Sequence, residues 1–135
     1  MSIIYRHDAQ LTPAQYIDIL NRTSLGARRP VGDVQAIADM LAHTDILITA
    51  WDGEKLVGVA RSFSDRAYVT YLADLAVDEA VQRQGIGRRL IAETQNQAKP
   101  GCKIVLFAAP EAEAYYGHIG LQPITQGWVL PGRLG

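Results

Sequence analysis

From Tyr71 to Leu90 the chain reads Tyr71-Leu72-Ala73-Asp74-Leu75-Ala76-Val77-Asp78-Glu79-Ala80-Val81-Gln82-Arg83-Gln84-Gly85-Ile86-Gly87-Arg88-Arg89-Leu90. An apolar strand runs into a short loop, and glycines then open a helix. That helix is expected over Gly85 to Ala98, because Ile86, Leu90, Thr94 and Ala98 recur at i+4 and Lys99-Pro100-Gly101 stops it. Lys103 to Ala108 follows as a continuous apolar run, the pattern of a strand covered on both faces. Strand, helix and second strand in that order specify a βαβ crossover, hence two parallel strands with a helix packed across them.

The preceding third of the chain has a different period. Ile46 to Trp51 and Leu56 to Phe63 are β-rich runs joined by Asp52-Gly53-Glu54, a hairpin signal. Ser64-Asp65-Arg66 turns the chain again into a strand from Tyr68 to Val77, completing an antiparallel meander. Nearer the N-terminus, Ile3-Ile4-Tyr5 reads as a first strand. Thr12-Pro13-Ala14-Gln15 then forms a capping box with proline at the first helical position, and Leu11 and Tyr16 are spaced as a hydrophobic staple. This helix is expected to end near Gly26. A second begins after Asp33, where Val34, Ile37, Ala38 and Leu41 share a face. Pro110 opens a last helix through about His118, and Leu121 to Leu130 has the composition for one or two short strands. The expected fold is a mixed α/β (α+β) sheet: an antiparallel meander feeding one βαβ crossover, with helices on both faces.

The chain has 135 residues, enough for one domain spanning 1–135. A hydrophobic fraction of 48% beside 20% charged residues excludes a disordered or fibrous chain. The formal net charge of -1 gives no pull toward nucleic acid or an anionic membrane. Basic residues cluster only at Arg28-Arg29 and at Arg83, Arg88 and Arg89, which suits a small phosphorylated ligand. Cys102 is the single cysteine, read as a buried inert thiol. No signal-peptide apolar stretch and no membrane-length run is present, so a cytoplasmic location is expected.

Unpaired N–H groups at a helix start favour an anion, and Gly85 and Gly87 let phosphate oxygens approach the backbone. Arg83 and Arg88 can add charge-assisted bonds to the same group. A P-loop is excluded because Arg88-Arg89, not Lys-Ser/Thr, follows Gly87. A dinucleotide fingerprint is excluded because Leu90 stands where its third glycine belongs and because the segment follows a meander. A coenzyme A pyrophosphate site remains.

On these residues the chain resembles the GNAT acetyltransferase superfamily. The family motif Q/R-x-x-G-x-G/A stands here as Gln82-Arg83-Gln84-Gly85-Ile86-Gly87, after the apolar strand end Leu75-Ala76-Val77. Ala112-Glu113-Ala114-Tyr115-Tyr116-Gly117-His118-Ile119-Gly120-Leu121 is similar to the family's A-x-x-F-Y-x-x-x-G-F segment. The resemblance implies a GNAT fold and an acetyl-CoA-dependent N-acetyltransferase. Its acceptor would be a primary amine, on a small molecule or a protein lysine or N-terminus, attacking directly in a ternary complex. The main chain of Leu75, Ala76 and Val77 would bind the pantetheine arm. Amides of Arg83, Gln84, Gly85, Ile86, Gly87 and Arg88 would hold the pyrophosphate. The third meander strand and the strand from Lys103 would splay to open the reaction slot. Two departures stand out: Ala109 replaces a frequent cofactor-contacting asparagine, and Leu121 replaces the usual phenylalanine.

Acetyl transfer to an amine needs a neutral nucleophile and a proton for the departing thiolate. Holding a lysine-like ammonium neutral at pH 7 costs about 4–5 kcal/mol. Tyr116, at the tyrosine of the family segment, is the expected general acid; Tyr115 reads as core. Asp74, a lone carboxylate among apolar strand residues, is the candidate base or ammonium partner, against the plainer reading of a buried acid bonded to backbone or arginine. Asp78 and Glu79 read as solvated loop charges, and Arg28-Arg29 as an exposed helix end, against the functional readings of neutralising cofactor phosphate or attracting a carboxylated acceptor. His7, His43 and His118 lack metal-ligand spacing, so no metal is expected. The alternative to an enzyme is a non-catalytic acyl-CoA-binding or sensing module. A homodimer is compatible with the sequence and not specified by it.

Overall fold

The computed structural model describes residues 2–135; Met1, where the N-terminal reading begins, lies outside them. Five strands form one sheet in chain order, β1 (Ile3–Arg6), β2 (Ile46–Asp52), β3 (Lys55–Ser64), β4 (Val69–Val77) and β5 (Lys103–Val105). The first four pair antiparallel, while β5 lies parallel to β4. Helix α3 (Ile86–Gln95) makes the crossover between β4 and β5. Helices α1 (Pro13–Asn21) and α2 (Val34–Ala42) precede the meander, and α4 (Glu113–His118) follows β5. The expected mixed sheet, meander and crossover are all present.

Two buried clusters show why helices are needed on both faces. Tyr16, Ile19 and Leu20 of α1 and Ile37 of α2 pack with Leu56, Val59 and Ala76 on one side of the sheet. Ile86, Leu90 and Ile91 of α3 pack with Ile48, Val57, Ala60 and Leu72 on the other. Strand periodicity of two sends alternate residues of β3 and β4 to opposite clusters. No helix among the described residues is long and apolar enough to cross a membrane.

Thr12 caps α1 as the sequence requires: its hydroxyl accepts from Gln15 N, and the Gln15 side chain accepts from Thr12 N. The helix ends at Asn21, earlier than Gly26, because Thr23 diverts the chain. Its hydroxyl donates to Leu20 O (2.9 Å) and accepts from Leu25 N, starting a 3-10 turn over Ser24–Arg28. Gly26 serves close approach instead: a Cβ there would lie 2.7 Å from Asn21 Oδ1 and 3.0 Å from Leu20 O. Two further expectations are corrected. Pairing along β5 stops at Val105, not Ala108, and the described tail from Leu121 to Leu130 contains no strand. Trp128 and Val129 are 93% and 87% exposed, so nothing there repays the ordering of a strand.

Candidate active site

Parallel pairing between β4 and β5 covers only Val69 with Lys103, Thr70 with Ile104 and Tyr71 with Val105. Strand β4 continues six residues further, to Val77, with no strand beside that edge. A bulge bends it where the two part. Arg61 faces Asp74 and Ser62 faces Leu72, leaving Ala73 as the extra residue. Beyond the bulge, Asp78 N–H donates to Val57 O on β3 (2.8 Å). Backbone alternation therefore turns the polar atoms of Leu75 and Val77 to the free edge, while Ala76 points its own back toward β3. The Val77 carbonyl on that edge accepts from Gln82 Nε2 (3.1 Å), a contact that ties the glycine loop to the strand.

The loop reaches α3 through a 3-10 turn, Glu79–Val81. Asp78 anchors it, and this overturns the expectation of a solvated charge. The residue is 4% exposed; one oxygen accepts from Ala80 N (2.9 Å) and the other meets Arg22. Burial pushes its carboxyl up, but the Ala80 N–H and the Arg22 guanidinium together hold it below the usual carboxylate range. Arg22 also donates to Leu56 O, and its own carbonyl accepts from Glu79 N. The end of α1 thus fixes the start of the loop. Glu79 is exposed, as expected.

Arg83 and Gly85 both take positive φ, 66° and 79°. Gly85 is the N-cap of α3 and no side chain caps it, so the first-turn N–H groups of that helix are left for an outside acceptor. A Cβ at Gly85 would meet nothing within 4 Å, whereas one at Gly87 would sit 2.7 Å from Tyr115 Oη. Arg83, Gln84 and Arg88 are exposed around this opening, and Ile86 is buried beneath it. Tyr115, expected in the core, is 37% exposed with its hydroxyl over the helix start. Burial raises its phenol and the charge of Arg88 pulls it back, leaving it above the usual value. The i+4 pattern made α3 legible, but nothing in the sequence brings α4 to its N-terminus.

Tyr116 is half-buried and, like Leu75, Val77, Ile104 and Leu106, packs against the α3-side cluster. Burial raises its phenol, and the neighbouring Tyr115, edge-on at 5.3 Å between centroids, adds in the same direction. A phenol held above 10 keeps its proton at neutral pH and can donate it.

Asp74 is held as in the plainer of its two expected readings, a buried acid bonded to arginine. Its side chain is fully buried. Oδ1 accepts from Arg29 Nε (2.5 Å); Oδ2 accepts from Arg61 Nε and from Tyr16 Oη, both at 2.6 Å. Burial pushes the carboxyl up, yet the Arg61 bond and charge, then Tyr16 and Arg29, carry it below the ordinary range. Both oxygens are occupied and the acid is strong, which makes it a poor proton acceptor. Arg29 further donates to the carbonyl of the bulge residue Ala73 (2.9 Å). It is therefore a brace for the slot rather than an exposed helix end. The acid among apolar residues was visible in the sequence; its three partners, 13 to 58 positions away, were not.

Ala109 presents no side-chain hydrogen bond at the start of the Pro110–Ala112 turn. Cys102 is only partly buried, with Sγ 3.5 Å from Thr70 Oγ1. Among the described residues no cluster of His, Cys, Asp or Glu has the grouping of a metal site.

Comparison with known proteins agrees with this arrangement. The acetyltransferase (GNAT) domain family matches residues 28–127. An uncharacterized N-acetyltransferase from Gracilaria tenuistipitata var. liui is 31% identical over 96 residues, which cover 69% of this chain and 53% of that protein. The chain thus spans about half the length of that curated relative. A probable acetyltransferase from meticillin-resistant Staphylococcus aureus superposes with a TM-score of 0.76 at 20% identity, over 97% of this chain and 100% of the other. An aminoglycoside acetyltransferase from an uncultured soil sample, in complex with sisomicin, gives 0.69 at 21%, over 98% and 97%. At such identities the superpositions speak for the fold, while the match from Arg28 to Gly127 speaks for the family. This chain belongs to the GNAT family of acetyltransferases.

Proposed function

We propose that the chain binds acetyl-CoA and catalyses transfer of the acetyl group to a primary amine by direct attack in a ternary complex. One observation carries the reading: the uncapped, glycine-opened start of α3 lies next to the one stretch of β4 that has lost its neighbouring strand. The first supplies N–H donors for a pyrophosphate, with Gly85 leaving room for its oxygens. The second supplies backbone groups of Leu75 and Val77 to an extended pantetheine, as in strand addition. Ala76 contributes through its packing and its pairing with Val59, which tie the edge to the sheet.

The thioester supplies an activated acetyl group. Leu75 and Val77 N–H groups orient and polarise its carbonyl from the free edge of β4. Arg83 and Arg88 offset phosphate charge, and Gln84, Ile86 and Gly87 contribute main-chain donors. Tyr116 gives its proton to the departing thiolate, whose conjugate acid has a pKa of about 8.5 on the cysteine scale. Asp74 acts through Arg29, Arg61 and Tyr16, holding the bulge and hence the slot width. With Asp74 so committed, no side chain is assigned as a dedicated base: the amine attacks from its neutral fraction, the C–S bond breaks as the C–N bond forms, and the proton the nitrogen then loses to solvent balances the one that restores the Tyr116 phenol.

The same commitment of Asp74 favours a second reading, a non-catalytic acyl-CoA-binding module. Calorimetric titration with coenzyme A, followed by thiol release from acetyl-CoA over a panel of amines, separates the two. Binding with amine-dependent release supports the enzyme; binding without release supports the module; no binding removes both.

A further inference from the structure

The cofactor pyrophosphate of the reading above lies on the α3 side of the sheet, so an acceptor meets the slot from the α1/α2 side. On that side the residues at the closed end of the slot are aromatic and uncovered. Phe63 on β3 and Tyr71 on β4 face each other in register and stack, with centroids 6.4 Å apart. Phe107, two residues beyond β5, meets Tyr71 edge-on at 6.1 Å. The three rings are 37%, 37% and 68% exposed, and together they bridge the point where β4 and β5 separate.

Beside them stands Arg61, whose guanidinium carbon lies 5.3 Å from the Phe63 centroid. Its side chain is 7% exposed and its Nε is spent on Asp74, yet Nη1 has neither water access nor a hydrogen-bond partner among the described residues. A buried donor without an acceptor is rare and unfavourable in a folded protein. Two guanidiniums, Arg29 and Arg61, share the single carboxylate of Asp74, so this corner carries a net positive charge. A polycationic amine needs free carboxylates here, and that of Asp74 is already shared by two guanidiniums.

We infer that the acceptor is a flat apolar or aromatic amine that also carries a carboxylate, the rings of Phe63, Tyr71 and Phe107 seating its body and Arg61 receiving its carboxylate oxygen once the Phe63 ring beside its guanidinium turns aside. The inference rests on the acetyl-transfer reading. Charge-assisted pairing with a fork-shaped donor is directional, so loss of the carboxylate costs more than loss of equal apolar area.

The test compares L-phenylalanine, 2-phenylethylamine and spermidine as acceptors with the intact protein and acetyl-CoA, at equal concentrations of neutral amine. Coenzyme A affinity is measured separately by calorimetry. Phenylalanine is expected to exceed the other two in kcat/KM by at least about tenfold. Phe63→Ala, at an exposed ring, is expected to raise KM for phenylalanine about tenfold with kcat nearly unchanged. Arg61→Lys keeps the charge beside Asp74 but removes the fork, and is expected to erase the preference for the carboxylate. Equal or better turnover of 2-phenylethylamine or spermidine overturns the acceptor class while leaving acetyl transfer standing. Coenzyme A binding with no turnover of any of the three overturns it as well. Failure of coenzyme A to bind removes the underlying reading, and the acceptor with it.

Discussion

At the scale of single residues, the two side chains that the sequence singles out for chemistry are held in different ways. Tyr116 sits half-buried against the α3-side cluster with its phenol raised by burial. Raising a phenol makes it a weaker acid but guarantees the proton at neutral pH. In the proposed reaction it would meet a thiolate that forms only during the transfer. Tyr116→Phe removes one oxygen from a site that tolerates the ring, so kcat is expected to fall by about 10²-fold. Coenzyme A affinity by calorimetry should stay nearly unchanged, and equal losses in both would strip Tyr116 of its assigned part. Basic-side loss of activity is expected only above pH 10, since the folded pKa lies above 10.0. Asp74 had the features of a site residue, an acid in an apolar strand. A buried carboxylate in a cleft looks the same in sequence whether it serves substrate or arginine, and only the fold supplies Arg29, Arg61 and Tyr16.

At the scale of elements, the start of α3 depends on two glycines for different reasons. Gly85 holds φ at 79° in open space, so Gly85→Ala strains the backbone without a clash. A stability loss of about 1–2 kcal/mol is expected, with weaker coenzyme A binding because the N–H array is distorted. Gly87 has ordinary φ but lies under Tyr115 Oη, where a new methyl would stand at 2.7 Å. Gly87→Ala should therefore be less damaging in a Tyr115→Phe background, which lacks that oxygen. Thermal or urea melts of the four proteins are expected to show coupling of about 0.5 kcal/mol or more; additivity would show that the close approach carries no energy. These elements also mark how far a sequence can be read. The capping box of α1, the i+4 stripe of α3 and the alternation of the meander are local, and each appears where its pattern lies, except that α3 ends at Gln95 and leaves Ala98 in the turn beyond it. The glycine motif placed the loop for the same reason. The bulge at Ala73, the early end of β5 at Val105 and the unpaired tail are set by neighbours remote in sequence. An apolar run from Lys103 to Ala108 signals burial, not which residues find a hydrogen-bonding edge.

At the scale of the whole molecule, Asp74 joins parts that local patterns leave independent. Tyr16 comes from α1, Arg29 from the segment before α2, Arg61 from β3 and Asp74 from β4, so one carboxylate fastens the helical layer to the bend that opens the slot. Its folded pKa lies below the unfolded value, which is about 3.9. The stabilisation is therefore fully present above that value and is lost as pH falls through the lower, folded one. Asp78 acts in the same direction through Arg22 and the Ala80 N–H. Stability from these groups should be level between pH 7 and about pH 5 and drop below about pH 4. Asp74→Asn leaves Arg29 and Arg61 without their shared counter-charge, and a loss of about 3 kcal/mol at pH 7 is expected. The variant has no carboxylate to protonate there, so its acid limb should be shallower and the two curves should approach each other as pH falls below about 4. Urea unfolding of both proteins across that range checks the claim. Parallel curves would mean that the acid sensitivity arises elsewhere and that Asp74 holds the fold by hydrogen-bond geometry alone, which an amide can partly reproduce.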